Sequence, residues 1–327
     1  MNMFLEALEK ILADHCTSAD IRRVEAGGSG AVLWQQVEQA GFLDLLLAEG
    51  RGGAALVLPE LFPVLECLGR FAVPVPLAQS IVARAVAGGA TVPPGMVALA
   101  TSMHHGANGD GAACPQVPYG MTADYLLARD GEALLLLPCA TAQRVAVGDP
   151  RSLTAHLHWQ NPEPVFSLPF GGEQLSSMAA AAAAAQLSGA MQRIFDMTLV
   201  HCNDRVQFGK SIGKFQAIQQ QLSVMAEHVL AAAIAAESAF RSVGAAPSLL
   251  AAAVAKSRCS EAASQVAATA HALHGAIGMT DEYDLGLLTR RLHDWRTAYG
   301  AEGYWNALIG EQVLAADMSL ADFVTNL

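Results

Sequence analysis

The chain has 327 residues, of which 53% are hydrophobic and only 15% charged, and its formal net charge is -11. That balance excludes a disordered chain, and the acidic excess excludes a nucleic-acid partner, since binding a phosphate backbone rests on a basic footprint that is absent here. The length allows two or three domains and a sizeable buried interior.

Residues 1–15 set Glu6, Glu9 and Lys10 among apolar neighbours, which predicts an amphipathic first helix and not a signal peptide. With no run of 18 strongly apolar residues, the sequence predicts no membrane span and a cytoplasmic protein. A helical pattern continues to about residue 90, broken at Gly27-Gly28, Gly52-Gly53 and Pro74 to Pro76. Pro59 opens one of these helices, and Leu61, Val64, Leu65 and Leu68 form its buried stripe. From about residue 91 to 169 the runs shorten to Val97 to Ala100, Tyr125 to Ala128 and Ala133 to Leu137, bounded by turn residues. This predicts a small β domain, with Asp130-Gly131 as its hairpin turn. His104 and His105 read as a loop, not a metal site, because chain neighbours point apart and no acidic cluster stands near them in sequence. Long helices follow: Leu187, Met191, Ile194 and Phe195 mark one apolar stripe, Ile218, Leu222, Met225 and Val229 a second, and a third helix runs from near Pro247 to about His274. The fold expected is mainly α with a small β domain: an N-terminal helical domain over 1–90, a middle β domain over 91–169 and a C-terminal helix bundle over 170–327. The six cysteines have no Cys-x-x-Cys pair and no histidine at zinc spacing, so they read as reduced core residues with no metal.

Two segments carry chemistry. The first is Arg205-Val206-Gln207-Phe208-Gly209-Lys210, at the end of one long helix and followed by Phe215-Gln216 at the start of the next. A guanidinium offers a fork of donors to phosphate oxygens, and a phenylalanine offers a stacking face to an adenine. The alternative is an arginine paired with Asp204 or a helix-end carbonyl, and a phenylalanine plugging the bundle. The second segment is Leu273-His274-Gly275-Ala276-Ile277-Gly278 followed by Thr280-Asp281-Glu282-Tyr283. Its glycines allow backbone to approach a dinucleotide, or simply stop a helix.

Together the two segments resemble the signatures of the acyl-CoA dehydrogenase family, and Gly52-Gly53, Leu65 to Arg70 and the prolines at 74 and 76 extend the similarity over nearly the whole chain. The resemblance implies a C-terminal four-helix bundle, FAD as cofactor and an acyl-CoA substrate. It implies that Arg205 reaches the FAD pyrophosphate of a neighbouring subunit, that Gln207 and Phe208 pack near the adenine, and that Gln216 and Gly275 also contact the cofactor. Two departures are Ala276, where the family has a second glycine, and Ala272, where it commonly has glutamine.

The family's base is a glutamate in a Tyr-Glu-Gly segment, and the matching stretch here is Tyr299-Gly300-Ala301. The other family position for a base falls on Ala179. Neither can take a proton, so no catalytic residue is assigned. Glu302 is the nearest acid and reads as a solvated carboxylate at a helix start, unless a different loop path swings it inward. Gln186 reads as facing the flavin, able to bond a substrate but not to abstract a proton. Ala100-Thr101-Ser102-Met103 stands where the family keeps its Thr-Glu-Pro pattern near the flavin ring, so the pyrophosphate side is retained and the ring side eroded. A glutamate placed at Gly300 could restore activity, provided the thioester pocket survives.

The function expected is an FAD-dependent oxidoreductase acting on an acyl-CoA, alone or as one subunit of a heteromer, with electrons passed to an electron-transfer protein. The alternative is a non-catalytic partner or acyl-CoA-binding subunit, and a more distant one is a flavin monooxygenase. In either of the first two cases the chain is expected to be a homo-oligomer or to assemble with a second subunit of the same family.

Overall fold

The computed structural model describes residues 3–88, 90–106, 111–242 and 244–325. Helices α1 (Met3–His15), α2 (Ser18–Glu25), α3 (Ala31–Gln39), α4 (Leu58–Arg70) and α5 (Leu77–Val86) come first. Thr17 and Asp20 cap α2 reciprocally, each side chain taking the other's backbone N–H. All four residues of the α4 stripe, Leu61, Val64, Leu65 and Leu68, are fully buried.

Eight strands follow in two sheets. Strands β1 (Val97–Ala100), β4 (Tyr125–Asp130), β5 (Ala133–Pro138) and β8 (Phe166–Leu168) make one; β2 (His104–His105), β3 (Ala112–Val117), β7 (Ala155–Trp159) and β6 (Gln143–Ala146) make the other. The predicted hairpin is present, with Asp130 opposite Ala133 and Gly131 at φ +60°, a left-handed turn that favours glycine. β1 pairs β4 in parallel, a long-range choice that local sequence does not reveal. His104 and His105 lie in a strand and not a loop, and His105 Nε2 sits 3.0 Å from Asp130 Oδ1, an acid far away in sequence. No group of three metal-ligating side chains forms among the described residues.

The long helices are α6 (Gly172–Asp204), α7 (Gln216–Ala239), α8 (Leu249–His274), α9 (Leu285–Thr297) and α10 (Glu302–Ala315), before a short α11 (Leu320–Thr325). A two-residue hairpin, β9 (Val206–Gln207) with β10 (Lys210–Ser211), joins α6 to α7. The first helices and the bundle share one hydrophobic core, joined by Val97, Leu99, Leu127, Leu134 and Leu136, while most of the buried strand residues form their own. α6 runs through the centre: Ala179 to Ala185 are all buried, and so short a side chain lets α4 and α8 approach closely. The α4–α6 crossing is close enough that a Cβ on Gly69 would stand 1.9 Å from Gln186 O, and one on Gly189 1.9 Å from Glu66 O.

α7 is the one helix among the described residues long and apolar enough to cross a membrane, with mean hydropathy 1.3 over its best 18-residue window, a third of which is buried. That third packs on α6 and α8 as a bundle helix does, but Leu230 and Ile234 remain 62% and 55% exposed. All six cysteines are buried and unpaired, and burial pushes the thiols of Cys16, Cys67, Cys114, Cys139 and Cys259 up to about 12.

Candidate cofactor site and ring-side cavity

Arg205 terminates α6, and its backbone N–H donates to His201 O at 2.9 Å. Gln207 lies in β9, Phe208 at the tip of the hairpin, Gln216 in the first turn of α7, and Gly275 directly after α8. The structure brings these segments to one end of the bundle: Cys202, Leu222 and Leu273 from α6, α7 and α8 form a small core beneath them, and the His201 and His274 rings stack at 4.4 Å. The Arg205 side chain makes no salt bridge or hydrogen bond among the described residues. Phe208 is 93% exposed and held at φ +51°, a left-handed conformation that a bulky residue rarely adopts. Neither packing alternative therefore holds among the described residues: Arg205 is not paired with Asp204, and Phe208 stays outside the bundle, edge-on to Phe215 at 6.3 Å.

Gly275 takes φ +62° and ψ -141°, a conformation open essentially to glycine alone, and a Cβ built there meets nothing within 4 Å. A free guanidinium, an outward aromatic face and a glycine backbone open to close approach suit a dinucleotide's pyrophosphate and adenine. These residues fit the group the sequence implies.

At the other end of α9 lies a separate pair of cavities. Two adjoining cavities of about 380 Å³ and 240 Å³ share Thr101, Ser102, Tyr299 and Gly300. The larger adds Leu99, Ala100, residues 115–118 and Thr297; the smaller adds Arg129, Ser176, Tyr304 and Trp305. α9 has 13 residues, which places this turn roughly 20 Å from the glycine end of the same helix. No Asp, Glu or His lines either cavity among the described residues. Arg129 is drawn off toward Ser176 Oγ at 3.0 Å and Glu132 Oε1 at 2.8 Å. Burial raises the Tyr299 phenol above its ordinary range, so it cannot serve as a base near neutrality.

Each candidate base position is closed. Ala179 is fully buried inside α6. Gly300 sits at φ +102°, and an added Cβ would stand 2.7 Å from the Tyr304 ring and 2.9 Å from Trp305 Nε1. The expectation that a glutamate could be placed there is thus corrected by the backbone: no L side chain fits without rebuilding the turn. Glu302, in the first turn of α10, is gripped at both oxygens by Arg296, with Nε to Oε2 at 3.1 Å and Nη2 to Oε1. That hydrogen bonding holds its carboxyl below the ordinary range and weakens it as a base. Gln186 does not face a cavity; it is 1% exposed, and Gln79 Nε2 donates to its Oε1 at 3.4 Å.

Residues 173–314 match the description "Acyl-CoA dehydrogenase, C-terminal domain". The chain is 32% identical over 296 residues to acyl-CoA dehydrogenase IpdE2 of Mycobacterium tuberculosis, covering 89% of this chain and 90% of that protein. The chain belongs to the acyl-CoA dehydrogenase family. Two solved structures share the fold: the ChsE4-ChsE5 complex of Mycobacterium tuberculosis, with TM-score 0.83 and 21% identity over 96% of this chain and 97% of that one, and a variant of the Tcur3481-Tcur3483 steroid ACAD, with TM-score 0.78 and 25% identity over 95% and 96%. The mainly α fold with a small β portion is therefore the acyl-CoA dehydrogenase fold.

Sequence reasoning missed two groups. Lys256 is fully buried on α8 and donates to Arg296 O, Gly300 O and Ser260 Oγ, beneath the turn where the family base would sit. Its only sequence signal is a lone lysine among alanines. Arg291 is equally buried and paired with Glu25 of α2 at 3.2 Å, tying α9 to the first helices.

Proposed function

We propose that this chain is one subunit of an FAD-dependent acyl-CoA dehydrogenase assembly, supplying the pyrophosphate side of a flavin site to a neighbouring subunit while the catalytic base comes from that neighbour. The observation that carries the proposal is the division of the site. Among the described residues the Arg205 side chain has no hydrogen-bond or ion-pair partner, Phe208 is 93% exposed with only the edge of Phe215 against it, and the cavity beside Tyr299 and Gly300 is lined by no acid. Arg205 would hold the pyrophosphate, Gln207, Phe208 and Gln216 the adenine side, and Gly275 would let backbone approach the dinucleotide. When bound, FAD would supply the hydride acceptor for an acyl-CoA thioester and the link to an electron-transfer protein, while the α-proton would need a carboxylate from the neighbouring subunit. This chain's residues bind and orient; none of them moves that proton.

The exposed apolar face of α7 supports assembly, because contiguous apolar surface of that kind is ordinarily covered. Family members solved as a two-component complex favour a second, related subunit as the cover, with a homo-oligomer the simpler alternative.

The test is the absorbance spectrum of the chain purified alone and coexpressed with a related subunit, before and after anaerobic addition of acyl-CoA thioesters. Flavin retained and bleached only in the mixed assembly supports the proposal. A yellow homomer bleached by an acyl-CoA would overturn it.

A further inference from the structure

Three rings meet beneath the cofactor end. His201, in the last turn of α6, lies four residues before Arg205 and accepts its backbone N–H. Its imidazole stacks on His274, the last residue of α8, at 4.4 Å and an interplanar angle of 25°. Tyr283 completes the group, its ring 5.1 Å from His274 and edge-on to His201. Each ring belongs to a different segment: the arginine segment, the residue before Gly275, and the stretch after the glycine turn.

The hydrogen bonds fix the protonation of His274. Its Nδ1 lies 2.8 Å from Ala270 O, which can only accept, so Nδ1 carries the hydrogen. Nε2, 3.2 Å from the Tyr283 hydroxyl, is then the acceptor of a phenol O–H in the neutral ring. A proton added to Nε2 would force that hydroxyl to reverse. A charge on either imidazole would also sit against its stacked neighbour, and one on His201 would face the Arg205 guanidinium.

We propose that the His201–His274–Tyr283 cluster is the positioning element that holds Arg205 and Gly275 in register for a dinucleotide, and that it holds them only while both imidazoles are neutral. The proposal rests on the cofactor reading of those two residues. The charged and titratable groups around the pair are Arg205, Asp204 and Cys202 on the α6 side, His271 on α8, and Tyr283 and Asp284 beyond the glycine turn. Of these only Asp204 favours a charged His201, and it is outweighed. Burial first, then Arg205, holds His201 below the ordinary histidine range; burial first, then His201, does the same for His274, against the pull of Ala270 O. The sign follows: solvated imidazoles take protons near 6.5 while the folded pair resists, so the cluster's contribution is whole above that pH and is lost as pH falls from there through the depressed folded values.

Hydrogen exchange of the nucleotide-free protein, corrected for intrinsic rates, tests this without calling on FAD. Across residues 201–215 and 273–284, exchange should rise as pH falls from neutral to below 6.5. His201→Phe keeps a stacking face and removes one of the two titrations, so the acid loss should become shallower, with His274 alone still titrating; His201→Ala should lose protection at every pH. Exchange independent of pH in the unmodified protein would overturn the proposal, as would an unchanged acid loss in His201→Phe. Should His201→Phe not fold, the unmodified pH series decides alone. If Arg205 proves not to serve the flavin, these exchange results stand unaltered, so the two failures are distinguishable.

Discussion

The ammonium of Lys256 lies 3.0 Å from the carbonyl oxygen of Gly300 and 2.7 Å from that of Arg296. Trp305 Nε1 donates to the same Gly300 oxygen at 3.1 Å, so two buried donors fix the turn that walls the ring-side cavity. Burial pushes the amine down to about 7. An unfolded lysine titrates near 10.5, so the folded state resists the charge and stability contributed by this group rises as pH climbs from about 7 to 10.5.

Lys256→Met removes both a buried charge and charge-assisted bonds, effects of opposite sign. Global stability should therefore change by less than about 2 kcal/mol, while the turn loses its ties. Urea unfolding should show the alkaline rise in stability reduced, and hydrogen exchange should show residues 298–303 less protected. Unchanged protection of that turn would mean that Lys256 does not hold it.

Gly300→Glu should not create a dehydrogenase. A left-handed φ and the Tyr304 and Trp305 rings resist a Cβ there, at a cost of about 1 to 3 kcal/mol, so the expected result is a less stable protein with no acyl-CoA oxidation. A stable variant that bleaches flavin with an acyl-CoA would show that the turn rebuilds readily.

Glu302→Gln should leave any turnover by the assembly unchanged. The carboxylate is committed to Arg296 at a partly exposed position, so its loss should lower stability by under about 1 kcal/mol. Because its folded pKa is depressed, that contribution is present above its ordinary value of 4.5 and lost as pH falls below it. Turnover abolished at constant flavin content would identify Glu302 as the base and refute the divided site.

The chain should be oligomeric at micromolar concentration by light scattering. A double change, Leu230→Glu with Ile234→Glu, places two charges on the exposed face of α7 and should dissociate the assembly without unfolding the subunit. A monomeric unmodified chain would leave that apolar face unexplained.

The elements were readable where local pattern decides them. The stripe on α4, the Asp130-Gly131 hairpin and the end of α8 at His274 follow from spacing and turn chemistry that neighbours in sequence carry. What long-range packing decides was not readable. Gln186 occupies a position suited to a cavity but meets Gln79 in the core, and the two histidines of β2 gain an acid from β4. The motif residues Arg205 and Phe208 were visible by type; that the Arg205 side chain pairs with nothing among the described residues and that Phe208 stays exposed were not, because both depend on where the hairpin points. The missing base was visible as a letter, whereas the left-handed backbone that keeps Gly300 a glycine belongs to the turn and to the lysine beneath it.

The most direct test of the divided site is the flavin-to-protein ratio of the assembly purified through this chain, compared between Arg205→Ala and Lys210→Ala. Lys210 sits over the Phe215 ring at 4.3 Å and serves the hairpin itself, so its loss should leave most of the flavin bound. Removing the guanidinium should release most of it, since a charge-assisted pyrophosphate contact contributes about 1.5 to 3 kcal/mol. Equal flavin content in the two variants would remove Arg205 from the site and contradict the proposal.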